Sequence, residues 1–564
     1  MALEMLLALV AVVLALCFGN SLPLWRLRKW DRKFHHFAGR RHRAVLIVFL
    51  VALFGRIALL RVSPVPEPHI HDEFSYLLAA DTFASGRLTN PTPPFWEHFE
   101  TMHVLLKPTY MSMYPPGPGL MLALGQRSGD PWIGVLLATA AMCAGLTWAL
   151  QGWMPPGWAF LGGLLAVLRI GTFSYWVNSY FGGSLAALGG VLVVGAMGRF
   201  LRRPRIAQGT VAGLGAAVLA LTRPYEGLVL CLAVAIVLLA DSMRRRNVGT
   251  LLTRLALPVA LIMAVLLGWF GYYCWRVTGS PIHMGHSLES QIYGVAPRFF
   301  WQNATARAYF RHDAMASFYA GWELDLYLNT IGLVGAIYKF LTICRFYFAY
   351  VLIVPLVVLV PVSWNRMRPL WIVGAIVMLG YVPEVWMNAH YAAPALAIFY
   401  ALILYGMRYW RTWPSRRNPK GLVVNWLVVA ICLLMVGIRA EAGSNVYSGW
   451  PPYWETSLGC LSRRPIVKLL QRLGGKHVIF VRYGIKHDPT QEWVYNDSDL
   501  ERAPIIWARE IDPQSDAALI EHFRERRGWL LEPDKDPNLL YPYPSVESQN
   551  TIRSTAGMRE VCAP

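Results

Sequence analysis

Apolar runs long enough to cross a bilayer recur along this chain, and the charged residues between them fall in short clusters. A crossing helix needs about 20 apolar residues, or fewer where its ends are polar. Runs of this kind occupy 2–19, 44–61, 131–150, 156–170, 183–200, 207–221, 227–241, 251–275, 342–361, 369–384, 392–409 and 421–438. Hydrocarbon offers no partner for backbone polar groups, so segments of this composition must be helical. The sequence therefore predicts an α-helical polytopic membrane protein of about 12 spans. Its 55% hydrophobic and 15% charged residues exclude an ordinary soluble domain. The net charge of +19 does not point to nucleic acid, because the basic residues sit between spans and not on one folded face.

Those basic clusters fix orientation through the positive-inside bias. Arg26, Arg28, Lys29, Arg32, Lys33, Arg40, Arg41 and Arg43 stand against Asp31 alone, so the loop after the first span is cytoplasmic. Counting onward places Arg202–Arg205, Arg244–Arg246, Arg366 with Arg368, and Arg408–Lys420 on the same side. Residues 1–19 lack a basic start and read as a retained span rather than a signal peptide. The opposite, exterior side receives the loop 62–130, the segment 171–182, the turn Thr222–Glu226, the stretch 276–340 and residues 385–391.

The exterior loop 62–130 concentrates ionisable residues between apolar runs. Pro68-His69-Ile70-His71-Asp72-Glu73-Phe74-Ser75-Tyr76 opens it, and Tyr114-Pro115-Pro116-Gly117-Pro118-Gly119 follows later. Ionisable groups at membrane boundaries are costly unless they have a task. Adjacent carboxylates at Asp72 and Glu73 suit a division in which one takes a proton and the other orients substrate or a cation. Solvated loop carboxylates are the alternative. Residues 73–85 carry Phe74, Leu77, Leu78 and Phe83 at helical spacing before Gly86, which predicts a helix lying at the interface. Residues 115–125 are too short to cross and predict a re-entrant helix.

After residue 438 the apolar runs end. His477–Arg482, Pro504–Arg509 and Gly528–Glu532 read as buried strands, with helices at 464–473 and 514–526, which predicts a small α/β domain with a parallel sheet. The domains are accordingly 1–43 (a first span and basic loop), 44–438 (the transmembrane unit) and 439–564 (an exterior soluble domain). Six of the eight cysteines fall in or beside apolar runs, which leaves Cys460 and Cys562 as a candidate exterior disulfide. No Cys-x-x-Cys or nucleotide-binding glycine motif occurs.

A span, an exterior loop with an acidic pair, an interfacial helix and a Tyr114-Pro115-Pro116-Gly117 lead into the next membrane segment together resemble the GT-C integral-membrane glycosyltransferases. The likeness is to the protein O-mannosyltransferase and aminoarabinose-transferase branch, glycosyltransferase family 39, over roughly residues 44–410. It implies a GT-C-like catalytic domain, a polyprenyl-phosphate-linked sugar donor, and a glycan, lipid or protein acceptor reached from outside. It also implies membrane lipids as surroundings, a bacterial inner-membrane location with a periplasmic active site, and an inverting mechanism with Asp72 as base. The first span and the soluble tail depart from the family pattern and leave the acceptor open.

The residue chemistry is coherent with that reading. Sugar transfer from a phosphate passes through an oxocarbenium-like state while charge grows on the leaving phosphate. Lys107, Arg169 and Arg223 are the exterior-side cations that could hold it, with snorkelling as the alternative for Arg169 and pairing with Glu226 for Arg223. Asn178 and Tyr180 are placed to read sugar hydroxyls or to anchor the interface, and His71, Tyr76, Tyr114, Glu226, His390 and Tyr391 complete the candidate substrate-binding set. His69, His71 and His390 with Asp72 and Glu73 could ligate a divalent cation, Mg²⁺ or Mn²⁺, although no ligand spacing defines the site. A proton-coupled lipid or solute transporter would place ionisable groups mid-bilayer, whereas here they collect at outer ends. A lipid-linked glycan ligase or polymerase would share the same site.

Overall fold

The computed structural model describes residues 2–18, 24–306, 309–349, 351–358, 364–412, 419–442, 463–544 and 552–553. Among these, six helices are long and apolar enough to cross a membrane: 41–61, 131–150, 224–244, 248–278, 389–412 and 420–441. A bent pair, Asp313–Thr330 with Gly332–Tyr347, adds a seventh, and five shorter apolar helices begin at Leu3, Pro156, Ser184, Ile206 and Met367. The twelve segments match the number expected, and the protein is a multi-pass membrane protein with a small C-terminal sheet domain.

Local sequence explains where the helices start and how closely they pack. Asp130 caps Pro131–Leu150 by accepting from the Trp132 amide, and proline occupies the first helical turn there and at Pro156 and Pro224. Helices Ser184–Phe200 and Ile206–Thr222 cross at bare backbone, where a Cβ on Gly215 would lie 2.7 Å from the Gly189 carbonyl oxygen. Small residues permit such approaches in bilayers, where close packing drives helix association.

One expected span is displaced. The run 342–361 is not a single helix: a helix covers Gly332–Tyr347 and a short 3₁₀ turn covers Val354–Val358. The helix begins about ten residues early, because the polar-looking stretch before it is itself helical over Gly285–Ile292 and Asp313–Thr330. As a result Lys339 lies beside Glu384 instead of in a loop.

The first long loop, residues 62–130, is a packed layer. Helix His71–Ala84 is not an interfacial amphipath; nine of its residues are buried. One side meets helix Pro116–Arg127, with Gly119 so close that a Cβ there would stand 2.6 Å from the Ala79 Cβ. The other side meets the C-terminal domain, with Phe74 stacked on Tyr495 at 4.5 Å. Three short strands follow: β1 (Asn90–Pro91), β2 (Val104–Leu105) and β3 (Thr109–Ser112), antiparallel in the order β1-β3-β2.

The C-terminal domain has the expected parallel core. Strands β4 (Lys476–Val481), β5 (Ile505–Arg509) and β6 (Arg526–Leu531) are parallel, and β7 (Leu539–Pro542) and β8 (Ile552–Arg553) add an antiparallel edge in the order β5-β4-β6-β7-β8. The domain is clamped to the loop by buried polar contacts. Arg509 bonds the Glu100 carbonyl and pairs with Glu492, while His98 meets Asp516 at 3.1 Å. Cys460 and Cys562 lie outside the described residues.

Candidate active site

The local fold of the first loop assembles a polar cluster. Register Val104↔Ser112 between β2 and β3 sets His103 across from Met113, whose amide donates to the His103 carbonyl. His103 takes a left-handed backbone, φ 60°, a conformation that costs a non-glycine residue of order 1 kcal/mol and is characteristic of functional sites. This turn aims the imidazole at the first turn of helix His71–Ala84. His103 Nδ1 lies 3.2 Å from Asp72 Oδ1, and the Tyr114 hydroxyl donates to the same carboxylate oxygen. His71 packs edge-on against His103 at 4.4 Å, with Phe318 behind both rings.

Electrostatics separate these groups. Burial alone would raise Asp72, but the His71 and His103 imidazoles outweigh it and hold the carboxyl well below the usual range. Burial and the neighbouring His103 push His71 down to about 3, so His71 is neutral. Burial works against a charge on His103 too, yet its bond to Asp72 and the nearby carboxylates of Glu289 and Glu323 raise it above the ordinary histidine value. Asp72 is therefore an ionised orienting group, and His103 the imidazole of the pair whose protonated form the surrounding carboxylates favour.

The cluster opens on a cavity of about 350 Å³ lined by His71, Asp72, Tyr76, His103, Tyr114, Arg223, His390 and Tyr391 among others. A second charged group shares that cavity. The backbone bridge between Phe299 and Glu384 sets Arg298 beside the Glu384 carboxylate at 3.5 Å, and the Lys339 amine donates to the Glu384 carbonyl. Arg223 lies 4.2 Å from the Tyr391 ring and pairs with buried Glu226 at 3.6 Å. Burial, with Glu226 adding repulsion, pushes Glu384 up to about 8, which leaves the local balance positive through Arg223, Arg298 and Lys339.

Of the residues singled out from sequence, His71, Asp72, Tyr76, Tyr114, Arg223, His390 and Tyr391 line this cavity. The others lie elsewhere, each with a structural partner. Glu73 is turned away: its carboxylate accepts the amides of His69, Ile70 and Tyr180, capping its own helix and tying it to the 172–181 segment. Arg169 pairs with Glu4 at 3.0 Å, so its anionic partner belongs to the first helix. Lys107 sits over the Trp96 ring at 4.0 Å. Asn178 receives Arg56, and the Tyr180 hydroxyl donates to the Pro66 carbonyl. His69 contributes a backbone amide to Glu73.

The cavity wall also carries His103, His286, Glu289, Arg298, Glu323, Lys339 and Glu384, none of which stood out in the sequence. For His103 a signal was present: Pro108 between two short runs turns the chain so that positions 103 and 113 meet. His286, Glu289, Glu323 and Lys339 sit on helices inside a stretch that reads as a loop, and Arg298 and Glu384 lie at the isolated bridge between Phe299 and Glu384.

His71, Asp72 and His103 also fit a cation. One ligand atom from each lies within 4.8 Å of the others, and His71 Nδ1 is buried without a hydrogen-bond partner among the described residues. Two imidazoles and one carboxylate suit Zn²⁺ or Mn²⁺ better than Mg²⁺, which prefers oxygen ligands. The ligands expected beside His71 and Asp72 were His69, His390 and Glu73, and His103 takes their place. His390 Nδ1 is occupied by the Tyr175 hydroxyl at 2.9 Å, and the Glu73 carboxylate by backbone amides, His69's among them.

No family model matches the sequence, and no curated protein matches it. Among solved structures, the chain is similar to ArnT from Cupriavidus metallidurans bound to undecaprenyl phosphate. That likeness has 14% identity and a TM-score of 0.47, covering 90% of this chain and 94% of that one. It is also similar to the Archaeoglobus fulgidus oligosaccharyltransferase in complex with Zn and sulfate, at 11% identity and a TM-score of 0.44, covering 78% of this chain and 60% of that one. Both are GT-C glycosyltransferases, the class that the first-loop motifs resemble.

Proposed function

We propose that the protein transfers a sugar from a polyprenyl-phosphate donor to a nucleophilic acceptor at the exterior face of a bacterial inner membrane. Catalysis belongs to residues 44–438, and the C-terminal domain on the periplasmic side supports the loop that carries the site. The observation behind this reading is one cavity holding both an ionised Asp72 bonded to His103 and Tyr114 and a cationic group of Arg223, Arg298 and Lys339.

The acceptor hydroxyl or amine attacks the anomeric carbon as the carbon–phosphate oxygen bond breaks, which inverts configuration. Its proton passes to the Asp72–His103 pair, which acts as one base. A carboxylate held far below its usual pKa is a weak base by itself, whereas an imidazole whose pKa a neighbouring carboxylate raises is a stronger one. The departing phosphate gains negative charge, and Arg223, Arg298 and Lys339 stabilise it. Tyr114 fixes the carboxylate rotamer, and Tyr76, packed against the Tyr114 ring at 4.4 Å, fixes the tyrosine.

A second reading keeps the substrates and changes the role of one cluster. The geometry of His71, Asp72 and His103 favours a bound divalent cation, which would supply Lewis-acid neutralisation of the phosphate. Purified protein incubated with a radiolabelled polyprenyl-phosphate sugar and envelope extract tests the shared claim: label must move to an extract component. Repeating the assay after chelation separates the readings, since the base requires no metal and the cation does.

A further inference from the structure

A second cavity lies at the other end of the transmembrane unit. It measures about 320 Å³ and is walled by Leu161, Leu164, Leu168, Trp426, Val429 and Leu433, with Asp31, His35 and Arg411 at one end. That polar end is the basic, cytoplasmic side by the distribution of charged clusters. Helix Pro156–Arg169 runs from it toward the 172–181 segment, whose Phe181 lines the catalytic cavity. The two cavities share no lining residue, and the span 389–412 reaches the catalytic cavity at His390 and Tyr391 and this one at Arg411.

The length of the cavity is informative. From Leu422 to Leu433 along helix Pro419–Ala442 the wall spans 11 residues, about 16 Å at 1.5 Å per residue. One leaflet is half of a hydrocarbon core about 30 Å thick, or about 15 Å. The groove is thus one leaflet deep. Laterally it is bordered by Val51 and Leu433, 42% and 54% exposed on the lipid-facing surface, so a chain can enter from the bilayer.

Its polar end selects for charge. Helix Leu24–Ala38 lies across the mouth, and positions 28, 31, 32 and 35 share one of its faces. Asp31 is already neutralised by Arg411, with which it forms two charge-assisted bonds. Arg28 and Arg32 on either side of it are exposed, and Trp25 and Trp30 are 61% and 63% exposed on the same helix, at the level where indoles meet headgroups. The wall contains one orphaned polar atom among the described residues: Asn425 Oδ1 has no hydrogen-bond partner, although the residue is only 6% exposed. A hydroxyl entering the groove would donate to it.

The geometry points to a binding site for an anionic glycerophospholipid of the cytoplasmic leaflet, with one acyl chain in the groove and the phosphate on Arg28 and Arg32. The lipid joins helix Leu24–Ala38 to the transmembrane unit at a seam that protein side chains leave unfilled. This inference does not depend on the reading of the catalytic cavity.

The test is native mass spectrometry of protein exchanged into nanodiscs of equal phosphatidylglycerol and phosphatidylcholine, followed by detergent release and graded activation. Wild type is expected to retain one phosphatidylglycerol preferentially. Leu164→Trp, which fills the groove from a partly exposed wall position, should lower that retention at least tenfold. The Arg28→Glu/Arg32→Glu variant should abolish the preference for phosphatidylglycerol, while Leu261→Trp on an unrelated lipid-facing surface should change nothing. Should Leu164→Trp prove unstable, Val429→Phe provides the same occlusion. Equal retention of both phospholipids by wild type, unchanged retention in the groove variants, or displacement of phosphatidylglycerol by added polyprenyl phosphate would each overturn the proposal.

Discussion

Glu73 and Asp72 are neighbours in sequence with opposite expected responses to loss of charge. Glu73→Gln keeps the side-chain shape but replaces one acceptor oxygen with an amide NH₂ that cannot accept from a backbone N–H. The native carboxylate accepts three such donors, from His69, Ile70 and Tyr180, and the last two belong to buried residues. Hydrogen bonds to a charged group contribute about 1.5–3 kcal/mol each, and a buried donor left unmet costs a further 1–3 kcal/mol or so. Losing one bond and burying one orphan therefore destabilises by about 3–5 kcal/mol, offset in part by movement of the 172–181 segment. Intrinsic-fluorescence melting in detergent should show a drop of several degrees, while transfer measured well below the transition falls less than tenfold. An unchanged melting temperature with abolished transfer would refute the assignment of Glu73 as a scaffold residue and return it to the reaction.

Three further outcomes follow from particular contacts. Arg298→Ala and Lys339→Ala should each weaken donor-phosphate binding or slow transfer at least tenfold, whereas Lys107→Ala, on the Trp96 ring, should do neither in the same assay. Arg509→Met leaves Glu492 buried and unpaired, which typically costs about 3–5 kcal/mol; limited proteolysis should then release the C-terminal domain more readily than in wild type. For pH dependence, the base must be unprotonated, so transfer should fall as pH drops through the raised value of His103. Because Glu289 helps to hold that value up, Glu289→Gln should move the acid limb of the kcat/KM profile to lower pH, and a shift upward would contradict the assignment.

Much of the fold was legible because bilayers impose few solutions. Apolar length located most of the membrane helices, and short continuous apolar runs located the three parallel strands. The failures have a common physical cause. Pro68–Gly119 and 276–340 are polar by composition yet packed in protein, so hydropathy reads them as loops or interface while burial makes them helix and sheet. Asp72, Tyr114, Arg223 and His390 were found because charge beside a span is conspicuous. His103, Arg298 and Glu384 were not, since each reaches the cavity through a pairing distant in sequence: β2 with β3, or Phe299 with Glu384. Glu73 and Arg169 share the composition of site residues but spend their charge inside the scaffold, on backbone amides and on Glu4. Sequence shows that a charge is present and does not show what neutralises it.

The central claim is that Asp72 with His103 takes the acceptor proton in a transfer from a polyprenyl-phosphate sugar. Its most direct test is single-turnover transfer by purified Asp72→Asn with radiolabelled donor, alongside equilibrium binding of the same donor. The amide preserves shape but cannot orient a cationic imidazole or accept the Tyr114 hydroxyl as a carboxylate does. The account predicts donor binding within a few-fold of wild type and transfer reduced by about 10²–10⁴; turnover near the wild-type rate would contradict it.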